Sequence, residues 1–321
     1  MGRKKLLTWA LAALAALAAG CGRKSKLVIG VVPKGQAHIF WQTVHAGAAA
    51  AARELGVEIR WNGPASETEF SRQVQIVESM INGRVDGIVL APTDRVALVS
   101  VVERAAREKI PVTIFDSGID TDNYVSFVAT NNYAAGQLAA RRVGEALGGR
   151  GAVAMLMNMP GSASTQEREK GFEDALGKDF PGLRIVARQF GMSDRAKSLA
   201  VAEDVLTAHP GLNALFASNE PGSVGAAQAV KARQLGGRVK LVGFDSSPTL
   251  VEDLKAGTID SLVVQDPFQI GYTAVKSVVD KLRGGSPAKK IDSPARVLAA
   301  ADLGRPEVQR LLNPDLDKYL K

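Results

Sequence analysis

The amino-acid sequence predicts an α/β protein built as two successive lobes, each a parallel sheet with helices on both faces. Three observations carry this. Short apolar runs alternate with helix-spaced segments from Lys26 onward, and the alternation restarts after residue 130. The 321 residues exceed one small core and match two domains of about 150 residues each. Hydrophobic residues at 46% against 23% charged fit a packed chain and argue against disorder.

In order, LVIGVV (27–32) reads as a buried strand. The segment Phe40 to Leu55 has helical apolar spacing, and Gly56 supplies its C-terminal stop. VEIRW (57–61) is a second strand, and Glu67 to Ile81 a second helix. DGIVLAP (86–92) and IPVTIFD (110–116) are strands three and four, with a helix over Val96–Glu108 between them. The restart begins with a helix over Tyr133–Leu147 and the strand GAVAMLM (151–157). A helix over Ala163–Leu176, the strand LRIVARQF (183–190) and a helix over Arg195–Ala208 follow. Next come NALFAS (213–218), a helix over Val224–Leu235 and VKLVGFD (239–245). A small helix near Leu250–Lys255, the strand DSLVVQ (260–265) and a helix over Ile270–Leu282 come after them. A strand near Arg296–Ala299 and a C-terminal tail complete the chain.

Residues 1–21, MGRKKLLTWALAALAALAAGC, form a basic n-region, an apolar run from Leu6 to Ala19, and small residues leading to Cys21. This resembles a bacterial lipoprotein signal, which implies removal of residues 1–20, lipidation of Cys21, a tether over 21–26 and an exported, membrane-anchored body. Ala18 stands where that motif more often has leucine. An ordinary secretory signal with an incidental cysteine is the alternative. Leu6 speaks against myristoylation, which wants Ser or Thr there.

The formal charge is +7; without Arg3, Lys4 and Lys5 it is +4, with no further basic run longer than a pair such as Lys289-Lys290. Nucleic acid is a poor fit. A single cysteine excludes a disulfide framework and a four-cysteine zinc site. His38, His45 and His209 are scattered without metal-ligand spacing, and no phosphate-binding glycine loop occurs. No cofactor or metal is expected. No nucleophile elbow or HExxH pair appears either, which argues against an enzyme.

Ligands of doubly wound sheets sit beyond the carboxyl ends of the strands. There the sequence places His38, Phe40 and Trp41 after the first strand, and Asp116 and Ser117 after the fourth. The second half adds Arg168, Asn219, Asp245 and Gln265. Carboxylates, amides and an arginine beside aromatic rings suit a polyhydroxylated ligand, with hydroxyls on the polar groups and C–H faces on the rings. Blander readings stand beside these. Asp116 could cap a turn, Asn219 could be an N-cap, and His38 could lie on the surface. Arg168 could belong to a solvated face with Glu167, Glu169 and Lys170. Phe40 and Trp41 could be core, although adjacent helical residues do not share a direction.

Taken together, HIFWQTVHAGA, DGIVLAPTD, IPVTIFD, ATNNYAAG, SASTQEREKGFEDAL, LTAHPGLNALFASNE, VGFDSSP and VVQDPFQIG resemble type I periplasmic substrate-binding proteins of the ribose-binding branch. The resemblance runs from residue 27 to about 285. It implies two Rossmann-like lobes, 27–130 plus 266–294 and 131–265 plus 295–321, joined by three crossings. It further implies hinge closure on a sugar, an ABC permease as partner and no catalysis; a single cleft and no long amphipathic face left over predict a monomer that binds one small neutral sugar. Carried over by position, Phe40 and Trp41 form an aromatic clamp, with His38 as a polar contact. Asp116, Arg168, Asn219, Asp245 and Gln265 read the ligand's hydroxyls. Two positions depart from the ribose-type pattern: Ser117 replaces an arginine and Ser193 a second-lobe aromatic. They put ribose itself in doubt. A sugar or furanose-signal receptor, or the effector core of a repressor, shares the body; a repressor would need a helix-turn-helix where the signal stands.

Overall fold

The computed structural model describes residues 26–321, so the signal segment and Cys21 lie outside the described residues. The first half comprises β1 (Val28–Val32), α1 (Ile39–Leu55), β2 (Glu58–Trp61), α2 (Phe70–Asn82), β3 (Gly87–Leu90), α3 (Val99–Arg107), β4 (Val112–Phe115) and β5 (Phe127–Ala129). The second comprises α4 (Asn132–Ala146), β6 (Arg150–Met157), α5 (Ala163–Asp179), β7 (Gly182–Phe190), α6 (Arg195–Ala208), β8 (Ala214–Ala217) and α7 (Glu220–Ala232), then β9 (Lys240–Phe244), α8 (Pro248–Lys255) and β10 (Ser261–Val264). The chain ends with α9 (Pro267–Leu282), β11 (Lys290–Asp292), β12 (Arg296–Leu298), α10 (Pro306–Leu312) and α11 (Asp317–Leu320).

The strands form two six-stranded sheets, ordered β11-β5-β4-β3-β1-β2 and β12-β10-β9-β8-β6-β7. Only β12 is antiparallel to its neighbour. Both sheets share the doubly wound order 2-1-3-4-5, in which the crevice opens where the order reverses beside the first strand. Strands β3, β4, β8 and β10 are buried along their whole length, as parallel strands covered on both faces must be. Alternate residues feed opposite cores. Val31 and Val89 pack towards α1 and α9, whereas Val32, Ile88 and Leu90 pack towards α2 and α3.

Close helix crossings lock each lobe. A Cβ on Gly47 of α1 would overlap the Phe268 carbonyl, and one on Gly271 of α9 the Val44 carbonyl. Gly136 of α4 and Gly171 of α5 repeat this arrangement in the second lobe, against the carbonyls of Arg168 and Tyr133. That second crossing holds the turn of α5 that carries Arg168.

The chain passes between sheets after β5, after β10 and between β11 and β12. The tail differs from the expectation that 295–321 stays with the second lobe. Val308 of α10 packs into the second-lobe core, but α11 lies on α1 of the first. Arg53 donates to the carbonyls of Lys318 and Tyr319, and the Tyr319 ring sits 5.3 Å from that of Phe268. Residues 313–316 therefore strap one lobe to the other beside the hinge.

Candidate ligand-binding site

The carboxyl ends of β1 and β4 face those of β6, β8, β9 and β10 across a cleft lined by both lobes. Asp116 follows β4 and Asp245 follows β9, both with left-handed backbone at φ 59° and 66°. Non-glycine residues seldom adopt this conformation without tertiary support. The support is the same in each lobe: Asp116 N–H donates to Val128 O and Asp245 N–H to Val263 O, on the neighbouring strands. The resulting turn puts a carboxylate at the cleft wall of each lobe.

Eight of the nine expected residues line this cleft: His38, Phe40, Trp41, Asp116, Arg168, Asn219, Asp245 and Gln265. Ser117 does not. It is fully buried, and its hydroxyl accepts the Ser164 N–H at 3.0 Å, so it fastens a loop rather than facing a ligand. The aromatic pair settles both ways. Phe40 and Trp41 meet edge to face at 4.9 Å within the core cluster containing Phe115, and both also reach the cleft. The start of α1 lies at the rim, where core and cleft are two sides of the same rings.

Arg168 is no solvated charge. It is 2% exposed, donates to Asn132 Oδ1 and Ser218 O, and lies 3.8 Å over the Phe244 ring. Asn219 caps α7 through Gly222 N–H, and its amide nitrogen donates to Ser193 Oγ at 3.2 Å. Ser193, in place of an aromatic, orients an amide instead of offering a stacking face. Gln265 donates to Asp245 Oδ1 at 2.7 Å.

Sequence reasoning missed two charged groups here. Lys34, 3% exposed, places Nζ 2.8 Å from Asp116 Oδ2 and donates to Ser162 and Ser164, across the cleft. The cation absent at Ser117 is thus supplied from the loop after β1. Glu67 accepts from Trp41 Nε1 at 2.9 Å and faces His38 Nδ1 at 3.4 Å. Asn158, Ser164, Thr165 and Glu220 also line the cleft. A lysine two residues past the end of the first strand was the one available signal.

The electrostatics follow from burial and partners. Burial alone would raise the Glu67 carboxyl, but the His38 hydrogen bond, the Lys34 charge and the Trp41 donor bring it down to about 2. Burial lowers His38, and the Glu67 bond and charge more than reverse this, leaving it raised. Burial pushes Asp245 up to about 6 against the pull of Arg168 and Gln265.

A larger cavity of about 580 Å³ lies behind the hinge, between Asp266, Ser293 and the tail. Its polar groups, Asp292, Arg296, Glu307 and Arg310 among them, come from the hinge and the tail and not from the ends of β1, β4, β8 and β9, beside which the strand order reverses, so we place the site in the cleft. The closed cleft leaves about 30 Å³, roughly two water molecules' room, and a ligand enters only when the lobes part.

Two doubly wound lobes closing a polar cleft define a hinged solute-binding protein. The model of the periplasmic binding protein domain family matches residues 29–286, and the chain belongs to that family. It is 34% identical to the D-allose-binding periplasmic protein of Escherichia coli K12, over 79% of this chain and 84% of the relative. A D-ribose/D-allose-binding protein of Pseudomonas aeruginosa is also 34% identical, over 82% and 85%. An Agrobacterium radiobacter carbohydrate-transporter solute-binding protein, solved with D-arabinose, superposes with TM-score 0.88 at 32% identity, covering 90% of this chain and all of that one. An Agrobacterium vitis ABC-transporter solute-binding protein with bound D-fucose gives 0.87 at 35%, covering 89% and 100%.

Proposed function

We propose that this chain is the exported solute-binding component of an ABC importer and closes on one small neutral monosaccharide or similar polyol. The observation that carries the reading is the convergence of an aromatic pair, four carboxylates and three amides from both lobes on one cleft. Charges there are matched: Lys34 with Asp116, His38 with Glu67, Arg195 with Glu220, and Asp245 beside Arg168. A matched set suits hydroxyls, which accept from one partner and donate to the other. The four relatives described above are named for, or solved with, aldoses. In this reading His38, Phe40, Trp41, Asp116, Arg168, Asn219, Asp245 and Gln265 contact the sugar, the first lobe being 27–130 plus 266–294. The protein acts as a monomer delivering its sugar to a permease, without catalysis. Cys21 carries the lipid anchor, which mass spectrometry of the mature N-terminus tests.

Thermal-shift and calorimetric screens against pentoses, hexoses and polyols test the function, because a cleft ligand stabilises only the folded state. No response to any of them would overturn it. A sugar touching both lobes favours the closed form by its extra contacts. Small-angle scattering is therefore expected to show a modest fall in radius of gyration on saturation; unchanged dimensions would rule out hinge closure. Trp41→Ala is expected to weaken binding by about 1.5–2 kcal/mol, from loss of apolar surface and aromatic contact. Unchanged affinity by calorimetry would assign Trp41 to the core alone.

A further inference from the structure

Glu220 is the first residue of α7 and sits between two groups of the cleft wall, Asn219 before it and Asp245 beside it. Its backbone N–H donates to Asp245 Oδ2 at 3.1 Å, which seats the Asp245 carboxylate on the N-terminus of α7, and both residues line the same cleft. The side chain is 1% exposed, and Arg195, itself half exposed, holds one of its oxygens. The other oxygen, Oε2, is sealed from solvent and has no partner among the described residues. A helix N-terminus favours a carboxylate, but it does not supply a donor to an oxygen that the helix N–H groups leave unbonded. The protein's own cations do not meet the need. Lys34 is committed to Asp116 and two serines, His38 faces Glu67, and Arg168 serves Asn132 and Ser218. Asn158 Oδ1, lining the same cleft, is a second buried acceptor without a donor. Buried acceptors left unbonded forfeit their hydration, and native structures seldom retain them without a partner from outside.

We propose that Glu220 determines sugar specificity: Oε2 accepts a hydrogen bond from one particular hydroxyl of the bound sugar, next to the hydroxyl that Asp245 takes. The inference rests on the sugar-binding reading and deepens it, because it makes one ring position obligatory. A charge-assisted bond in a water-poor cleft is stronger than a neutral one. An analogue lacking that hydroxyl leaves Oε2 unpaired again, so discrimination is sharp there and mild elsewhere.

The test uses the tightest-binding aldose among D-allose, D-ribose, D-arabinose and D-fucose, with its monodeoxy derivatives, by calorimetry on the full mature protein. Glu220→Gln keeps the shape and is expected to weaken the parent sugar about ten- to a hundredfold. One monodeoxy derivative should show the same loss on the wild-type protein and bind Glu220→Gln no more weakly than wild type. The remaining derivatives should lose affinity on the variant as the parent does. Glu220→Asp keeps the charge but withdraws the oxygen, and should show the same single-position coupling if Glu220→Gln folds poorly. Equal affinity of variant and wild type, or equal coupling at every ring position, would overturn the proposal. Failure of every sugar to bind the wild-type protein would overturn the sugar reading and this inference with it; wild-type binding indifferent to Glu220 would overturn this inference alone.

Discussion

Replacing Lys34 by methionine is expected to weaken sugar binding by about two to three orders of magnitude while moving the melting temperature by only a few degrees. Lys34 Nζ neutralises Asp116 at 2.8 Å and bonds Ser162 and Ser164 on the opposite lobe. Both members of the ion pair are almost wholly buried in the closed form. Removing one partner of a buried pair costs about 3–5 kcal/mol, because the remaining charge is stranded away from water. Here the stranded charge has an escape, since parting the lobes rehydrates Asp116 without unfolding either sheet. The cost therefore falls on closure and on the bound state, where Asp116 would also bind the ligand with its counter-charge missing. Calorimetry and thermal melts separate the two possibilities. A melting point lowered by about 8 °C or more with affinity retained would make the pair a folding element instead.

What the sequence disclosed and what it hid have physical causes. Parallel strands buried on both faces must be near-continuous apolar runs, and β1, β3, β4, β8, β9 and β10 were legible for that reason. The three-residue strands β5 and β11 were not. Lys290–Asp292 carries two charges and pairs only with β5 at the sheet edge, so it has no apolar run to display. Lys34 escaped notice because its partner Asp116 is remote in sequence and comes near only through the order β4-β3-β1. Glu67 was read into the second helix, but α2 starts at Phe70, and the freed loop turns that side chain into the cleft. Ser117 was placed at the site because it follows Asp116 at the end of the fourth strand. The left-handed backbone at Asp116 gives the cleft to the aspartate and leaves its neighbour to the Ser164 backbone.

Asp245 combines the second large effect with a pH signature. Its carboxylate accepts from Gln265 and from the Glu220 backbone, and it lies beside the Arg168 charge. Asp245→Ala removes a charged acceptor in a dry site and unfastens both donors, so affinity is expected to fall by about 2–3 kcal/mol, roughly 30- to 150-fold. Burial holds this carboxyl at about 6, above its ordinary 3.8. In the closed form without ligand, a folded-state value above the unfolded one means that the native state binds the proton more tightly. This group's contribution to stability is therefore full below about 3.8 and is lost as pH rises through 6. Ligand affinity should run the other way, because a sugar hydroxyl donates to the ionised form and draws the proton off. Binding is then tightest above pH 6 and weakens as pH falls through it, with proton release near that point. Calorimetry in buffers of different ionisation enthalpy measures the released proton, and Asp245→Asn should abolish the release near pH 6. A wild-type affinity flat between about pH 5 and 8, with no proton exchanged, would mean that the ligand does not take up the Asp245 charge.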